Sequence, residues 1–246
     1  MTTKFFTKQG IEIPGVSAEQ MRTIDRIAVE ETGPNLFQMM ENAGRSLALL
    51  AMEAAGSHWQ GKRYLILAGK GGNGGGGICA ARHLLNRGLN VTVCLSSEDP
   101  QNVPLFQFQT YVKSGGNVRP FEQVHRQQYD VIIDGLIGYG LKSAPKNAAK
   151  QMIEWANRQD AMKISLDIPS GVNATTGKTR GVFFFPDKTL TLALPKTGLS
   201  TRNAGRIFLA DLGIPETVYR RLGLNYRNPF ARTFTVELVD GEMAKG

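Results

Sequence analysis

The sequence is poor in the residues that organise metal and redox chemistry, with two cysteines and three histidines among 246 residues. His58, His83 and His125 fit no ligand spacing, which excludes a zinc site and leaves the histidines structural roles. Cys79 and Cys94 sit in apolar patterns, one on a helix and one on a strand, and read as small buried thiols of a reducing compartment. No apolar segment reaches 18 residues, and Met1 to Phe6 lack a full signal-peptide core, which points to a soluble, cytoplasmic protein away from membranes. There is no Gly-x-x-x-x-Gly-Lys-Ser/Thr, so a Walker A loop is excluded. Nor is there a Gly-x-Ser-x-Gly elbow, and Ser170 has no evident partner histidine, which argues against a serine hydrolase. The net charge of +8 comes without a block of five or six like charges. It suggests an acidic ligand or surface and permits a nucleic-acid partner without implying one.

What the chain has in abundance is glycine, 28 residues in all, and one stretch organises the rest. Gly69-Lys70-Gly71-Gly72-Asn73-Gly74-Gly75-Gly76-Gly77 lies between an apolar run, Tyr64 to Ala68, and a helical pattern, Ile78 to Leu85. Strand, glycine loop and helix in that order build an anion site: glycines let backbone N–H groups approach a phosphate, and the helix N-terminus adds partial positive charge. A phosphate-bearing ligand is the first expectation. An ordinary NAD dehydrogenase is disfavoured, because no acidic residue ends a strand about 20 residues past the first glycine. Glu98 and Asp99 come later, in a turn.

The length suits one α/β domain over residues 1–240, with a tail at 241–246. Residues 1 to 16 read as an extended arm broken at Pro14-Gly15. Residues 17–56 read as two helices, one opened by a Ser17/Gln20 capping box and stopped by Gly33-Pro34, the other capped by Asn35 and ended by Gly56. Such a pair covers a sheet face or packs on a partner subunit. From 63 to 223 strands and helices alternate: strands at 63–68, 90–95, 117–119, 129–134, 163–167, 188–194 and 206–211, helices at 77–87, 102–114, 146–158 and 216–222. Several strands are apolar without alternation, so a mostly parallel sheet covered on both faces is expected, a Rossmann-like three-layer sandwich. Residues 225–239 offer no more than a possible edge strand.

Ligands of such sheets bind outside the carboxyl ends of the strands. Three of those ends carry polar constellations: the glycine stretch, Asp134-Gly135-Leu136-Ile137-Gly138-Tyr139-Gly140-Leu141, and Asp167-Ile168-Pro169-Ser170-Gly171. A strand-ending aspartate is usually a cap, but two converging on one glycine cradle suggest chemistry. Lys196, in Pro195-Lys196-Thr197-Gly198, could reach a phosphate, a solvated surface lysine being the default reading.

Together these residues resemble the YjeF N-terminal family, whose enzymatic members are NAD(P)H-hydrate epimerases. The resemblance runs through Ser17 to Met21, Met40-Glu41-Asn42-Ala43-Gly44, the glycine stretch, Asp134 and its turn, Leu166 to Val172, and Pro195 to Gly198. It implies a damaged nucleotide, NADHX or NADPHX, held by Gly72, Asn73, Gly74, Gly75 and Gly76 and by the turn Gly138, Tyr139, Gly140, Leu141, Lys142, Ser143 and Ala144. Asp167 then lies beside the reacting ring as the catalytic acid and base. The resemblance also implies a potassium ion (K+) held by Asn73, Asp134 and Ser170 with backbone carbonyls, a homodimer, and a separate NAD(P)H-hydrate dehydratase as functional partner. Where the family reads Asn-Asn-Gly-Gly-Asp-Gly, this chain has Gly72-Asn73-Gly74-Gly75-Gly76-Gly77. The exchange at Gly76 removes a helix cap and a negative charge from where an anion would sit. The alternative is a non-catalytic nucleotide- or RNA-binding scaffold of the same fold, which the basic charge would suit but which would not need the strand-end carboxylates.

Overall fold

The computed structural model describes residues 4–97 and 102–240. The expected tail at 241–246 and the turn carrying Glu98 and Asp99 lie outside the described residues. Ten strands form one sheet: β1 (Phe5–Thr7), β2 (Glu12–Ile13), β3 (Arg63–Ala68), β4 (Asn90–Leu95), β5 (Asn117–Val118), β6 (Val131–Gly135), β7 (Met162–Leu166), β8 (Lys188–Leu192), β9 (Arg206–Ala210) and β10 (Thr235–Asp240). Their order across the sheet is β2-β1-β10-β9-β8-β7-β6-β3-β4-β5. From β9 to β5 every neighbouring pair is parallel.

The helices are α1 (Ala18–Ile27), α2 (Leu36–Ala54), α3 (Gly72–Leu85), α4 (Val103–Lys113), α5 (Phe121–Val124), α6 (Asn147–Asn157), α7 (Thr201–Ala204) and α8 (Glu216–Arg221). Both expected capping boxes form: Ser17 with Gln20 opens α1, and Asn35 with Gln38 opens α2. Before Gly33 the chain widens into a π-helical turn, Ala28–Thr32.

Alternation along β3 makes the layers. Tyr64, Ile66 and Ala68 pack into a core with Leu47 of α2, Ile78 and Leu84 of α3 and Tyr111 of α4. Leu65 and Leu67 point the other way, into a core with Met152, Ile153 and Trp155 of α6. With both faces buried, polar residues have nowhere to sit inside these strands, which is why they read as unbroken apolar runs. A third core joins α1 and α8 to β1, β9 and β10.

Three expectations are corrected. The N-terminal arm is a hairpin, β1 pairing antiparallel with both β2 and β10. The last strand, β10, is not an edge: it is antiparallel to both its neighbours, β9 and β1. Most consequentially, the glycine stretch is a loop only as far as Gly71. Gly72 to Gly77 form the first turns of α3, and Gly74 to Gly77 are buried.

Glycine is poor in helices, so these residues are there for proximity. A Cβ on Gly74 would stand 1.7 Å from the Gly69 carbonyl oxygen, and one on Gly75 would stand 2.6 Å from Met40 Sδ. Met40 can swing aside, but the Gly69 backbone cannot. Gly74→Ala is therefore expected to destabilise the fold by about 1–3 kcal/mol, the usual cost of overpacking, read as a lowered denaturation midpoint at unchanged slope.

The parallel strands run outward from β3 in two directions, to β4 and β5 on one side and to β6 and beyond on the other. That reversal splays the connections at the carboxyl ends of β3 and β6 and opens a crevice between them.

Candidate active site

A cavity of about 930 Å³ occupies that crevice. It brings together expected site residues from three strand ends: Gly72, Asn73 and Gly76 after β3, Gly138, Tyr139 and Gly140 after β6, and Asp167 after β7. Gly74 and Gly75 are buried in α3 and are not part of the lining. Leu141, Lys142, Ser143 and Ala144 are also outside it, and the chain returns to the wall with Lys146 and the start of α6.

The glycine at 138 leaves room for what converges on it. A Cβ there would stand 3.1 Å from Asn73 Oδ1 and 3.4 Å from Asp167 Oδ2. Asn73 is held by its Nδ2, which donates to the Leu166 carbonyl at 3.0 Å and ties the start of α3 to the end of β7. Its amide oxygen is left facing the turn.

Asp134 and Ser170 lie behind the cavity wall, both 0% exposed. The Asp134 carboxylate accepts from Ser170 Oγ at 2.6 Å, Ser170 N at 2.8 Å, Ser165 Oγ at 3.0 Å and Leu136 N at 3.1 Å. Ser170 Oγ in turn accepts from Ile137 N at 2.8 Å. These bonds lock the turn after β6 onto the turn after β7. Burial pushes the Asp134 carboxyl above its ordinary range, and the Ser170 bonds oppose that. All four donors are neutral, so the carboxylate has no basic hydrogen-bond partner.

Asp167 adopts a left-handed backbone, φ +67°, which turns the chain at the end of β7 and presents the carboxyl to the cavity. One oxygen is ion-paired with Lys196 Nζ, and the other accepts from Tyr139 N at 3.3 Å. Lys196 is not a solvated surface lysine. It is 1% exposed, donates also to the Leu192 carbonyl at 2.8 Å, and places its ammonium 5.8 Å from the centre of the Tyr139 ring. Its ion pair with Asp167 offsets the cost of that burial and fixes Lys196 at the cavity wall.

Asp25 was not legible as a site residue, yet it lines the same cavity from α1. Its Oδ2 accepts from the Tyr139 hydroxyl. Burial raises its carboxyl above the usual range, with the Tyr139 bond and the Lys196 charge opposing. The available signal was its position: Met21, Ile24 and Ala28 are buried on α1 and its extension, and Asp25 stands one residue after Ile24 on that same stripe.

Away from the cavity, Glu41, Cys79 and His83 approach one another in a potential metal-ligand cluster, with ligand atoms within 4.8 Å. Arg82 Nη2 already fills the cation position, donating to both Glu41 oxygens at 2.6 and 2.8 Å and to Cys79 Sγ at 3.6 Å. Both cysteines are free and buried, and burial pushes each thiol up to about 12. Among the described residues, no helix is long and apolar enough to cross a membrane.

Residues 36–198 match the family described as YjeF-related protein N-terminus. The chain is 47% identical, over 98% of its length and 100% of the relative's, to a protein of Dehalogenimonas lykanthroporepellens named NAD(P)H-hydrate epimerase. It is 32% identical, over 88% of its length and 91% of the relative's, to one of the same name from Rhodopirellula baltica. A bifunctional NAD(P)H-hydrate repair enzyme of Hyperthermus butylicus is 37% identical over 76% of this chain, which spans 36% of that protein. In fold, the chain is similar to the crystal structure of the yeast protein ynu0, with a TM-score of 0.81 at 20% identity, covering 92% of this chain and all of that one. The sequence match across α2 to Gly198 and the shared sheet agree with the motifs at the strand ends, and the chain belongs to the YjeF-related protein N-terminus family.

Proposed function

We propose that the protein is an NAD(P)H-hydrate epimerase that interconverts the R and S forms of NADHX and NADPHX at the carboxyl ends of β3, β6 and β7. The observation that carries the reading is the buried Asp167–Lys196 pair facing a nucleotide-sized cavity whose other wall is the glycine-rich N-terminus of α3. The first turn of α3 has no side-chain cap, so its N–H groups can receive a phosphate, with Lys70 beside them in the lining.

Epimerisation at the hydrated ring carbon needs the hydroxyl to leave as water and water to return to the opposite face. The ring nitrogen supplies the electron pair that expels the hydroxyl and takes it back when water adds. Asp167 is placed to exchange the proton at that carbon, and positioned acid–base groups of this kind typically contribute about 10²–10⁴-fold. Lys196, paired with it, fixes the orientation of the Asp167 carboxyl toward the cavity.

The residues proposed for potassium fit it. Asn73 Oδ1, the Asp134 carboxyl and Ser170 Oγ are all hard oxygen donors, and Asp134 is a buried carboxyl whose four hydrogen-bond donors are all neutral. When bound, the ion would favour the ionised form of that carboxyl and tie the three strand-end segments together. A homodimer, a cytoplasmic setting and a separate dehydratase that consumes the S epimer complete the proposal.

The test follows from the altered glycine stretch. A Cβ on Gly76 would stand 2.8 Å from Leu166 Cδ2, the mobile end of a side chain, so an aspartate can be accommodated there. Wild type is expected to epimerise NADHX measurably, and Gly76→Asp to change the rate without being required for it. A silent wild type alongside an active Gly76→Asp would overturn the reading for this chain.

A further inference from the structure

We propose that Asp25 is a second catalytic residue, exchanging the proton on one face of the hydrated ring while Asp167, held by Lys196, serves the other. The inference rests on the epimerase reading and deepens it.

Four observations carry it. Asp25 and Asp167 both line the cavity, from α1 and from the end of β7. They are bridged by one residue: the Tyr139 hydroxyl donates to Asp25, and the Tyr139 backbone N–H donates to Asp167. Their surroundings differ, since Asp167 is ion-paired with a buried ammonium while Asp25 is bonded to a neutral phenol. Burial raises the Asp25 carboxyl above its ordinary range and the Asp167 charge adds to that, against the opposing Tyr139 hydrogen bond and Lys196 charge. Two carboxyls in such different surroundings at one site are the arrangement that divides acid from base.

The charged and titratable groups around Asp25 come from several elements. Arg22 of α1 places its guanidinium 6.0 Å from the Tyr139 ring centre, Lys196 follows β8, and Tyr219 of α8 is close enough to sense the Asp25 charge. Arg26 is turned away, paired with Glu30 and Glu31.

The step balances without a co-reactant beyond water. Protonated Asp25 gives its proton to the leaving hydroxyl, the carbon–oxygen bond breaks, and the ring nitrogen's electron pair forms the carbon–nitrogen double bond. A water on the opposite face attacks the carbon, the double-bond pair returns to nitrogen, and the water's proton passes to Asp167. Both carboxyls reset by proton exchange with solvent through the cavity mouth, and the reverse epimerisation runs with the roles exchanged.

The test compares Asp25→Asn, Asp25→Glu and Tyr139→Phe with wild type, following interconversion of the purified R epimer. Asp25→Asn keeps an acceptor for the Tyr139 hydroxyl, and Tyr139→Phe removes the bridge while leaving the carboxyl. Thermal melts and NADP+ binding, measured alongside, report folding and site integrity. A catalytic Asp25 gives a loss of about 100-fold in kcat for Asp25→Asn with KM within about threefold, a smaller loss for Tyr139→Phe, and partial recovery in Asp25→Glu. Equal losses in Asp25→Asn and Tyr139→Phe would mean that Asp25 only positions the tyrosine, and an unchanged Asp25→Asn would remove it from the chemistry. Either overturns the proposal while leaving the epimerase reading intact. A wild type that binds NADP+ but never epimerises would overturn both.

Discussion

Asp167→Asn is expected to lower the epimerisation rate by about 10²–10⁴-fold while leaving nucleotide affinity within a few-fold of wild type. Asparagine is the informative replacement because residue 167 has φ +67°, a region that asparagine tolerates far better than alanine or a branched side chain. Its amide oxygen can still accept from Lys196, so the geometry around the cavity is retained. What is lost is the negative charge opposite a buried ammonium. Removing one partner of a buried pair typically costs about 3–5 kcal/mol, so some loss of stability accompanies the loss of activity. The double variant Asp167→Asn/Lys196→Met separates the two effects by removing the orphaned charge: it should recover stability and remain inactive. If Asp167→Asn epimerises at the full rate with normal binding, the carboxyl has no part in proton exchange.

Asp134→Ala is also expected to cost substantial stability, and for a different reason. The four donors aimed at that carboxylate are buried, and two of them, Ser170 N and Leu136 N, are fixed backbone groups. Unsatisfied buried donors cost about 1–3 kcal/mol each, so the variant should lose about 3 kcal/mol or more. For a domain of this size that is a melting temperature lower by roughly 6–12 °C. The same variant tests the cation. Wild type should melt higher in potassium chloride than in an organic-cation chloride of equal ionic strength, and Asp134→Ala should lose that difference. An equal gain in both proteins would place the cation elsewhere.

The parts of the fold readable from the sequence are those decided locally. Buried on both faces, β3 from Tyr64 to Ala68 and β6 from Val131 to Ile133 had to be apolar, and Ser17 and Asn35 fix their helix starts through side chains three residues away. What could not be read depends on distant partners. Strand β10 has an ordinary sequence, and only its pairing with β9 and β1 places it inside the sheet. The glycine run argued for a loop because glycine disfavours helices, and tertiary crowding from Gly69 and Met40 reversed that preference. At the site, Asp167 was visible as the end of an apolar strand, and Asp134 by the same rule. Lys196 looked like a surface lysine until the fold brought Asp167 to it, and Asp25 was hidden on a helix whose apolar stripe drew attention to its hydrophobic neighbours.

The claim beneath all of this is that water leaves and re-enters the hydrated ring in the cavity beside Asp167. The most direct measurement is the uptake of ¹⁸O from labelled water into the ring hydroxyl of NADHX, followed by mass spectrometry together with the R-to-S ratio. The account predicts that the protein accelerates label uptake in step with epimerisation, and that Asp167→Asn slows both alike. Epimerisation that proceeds with the original oxygen retained, or label uptake no faster than in buffer, would contradict it.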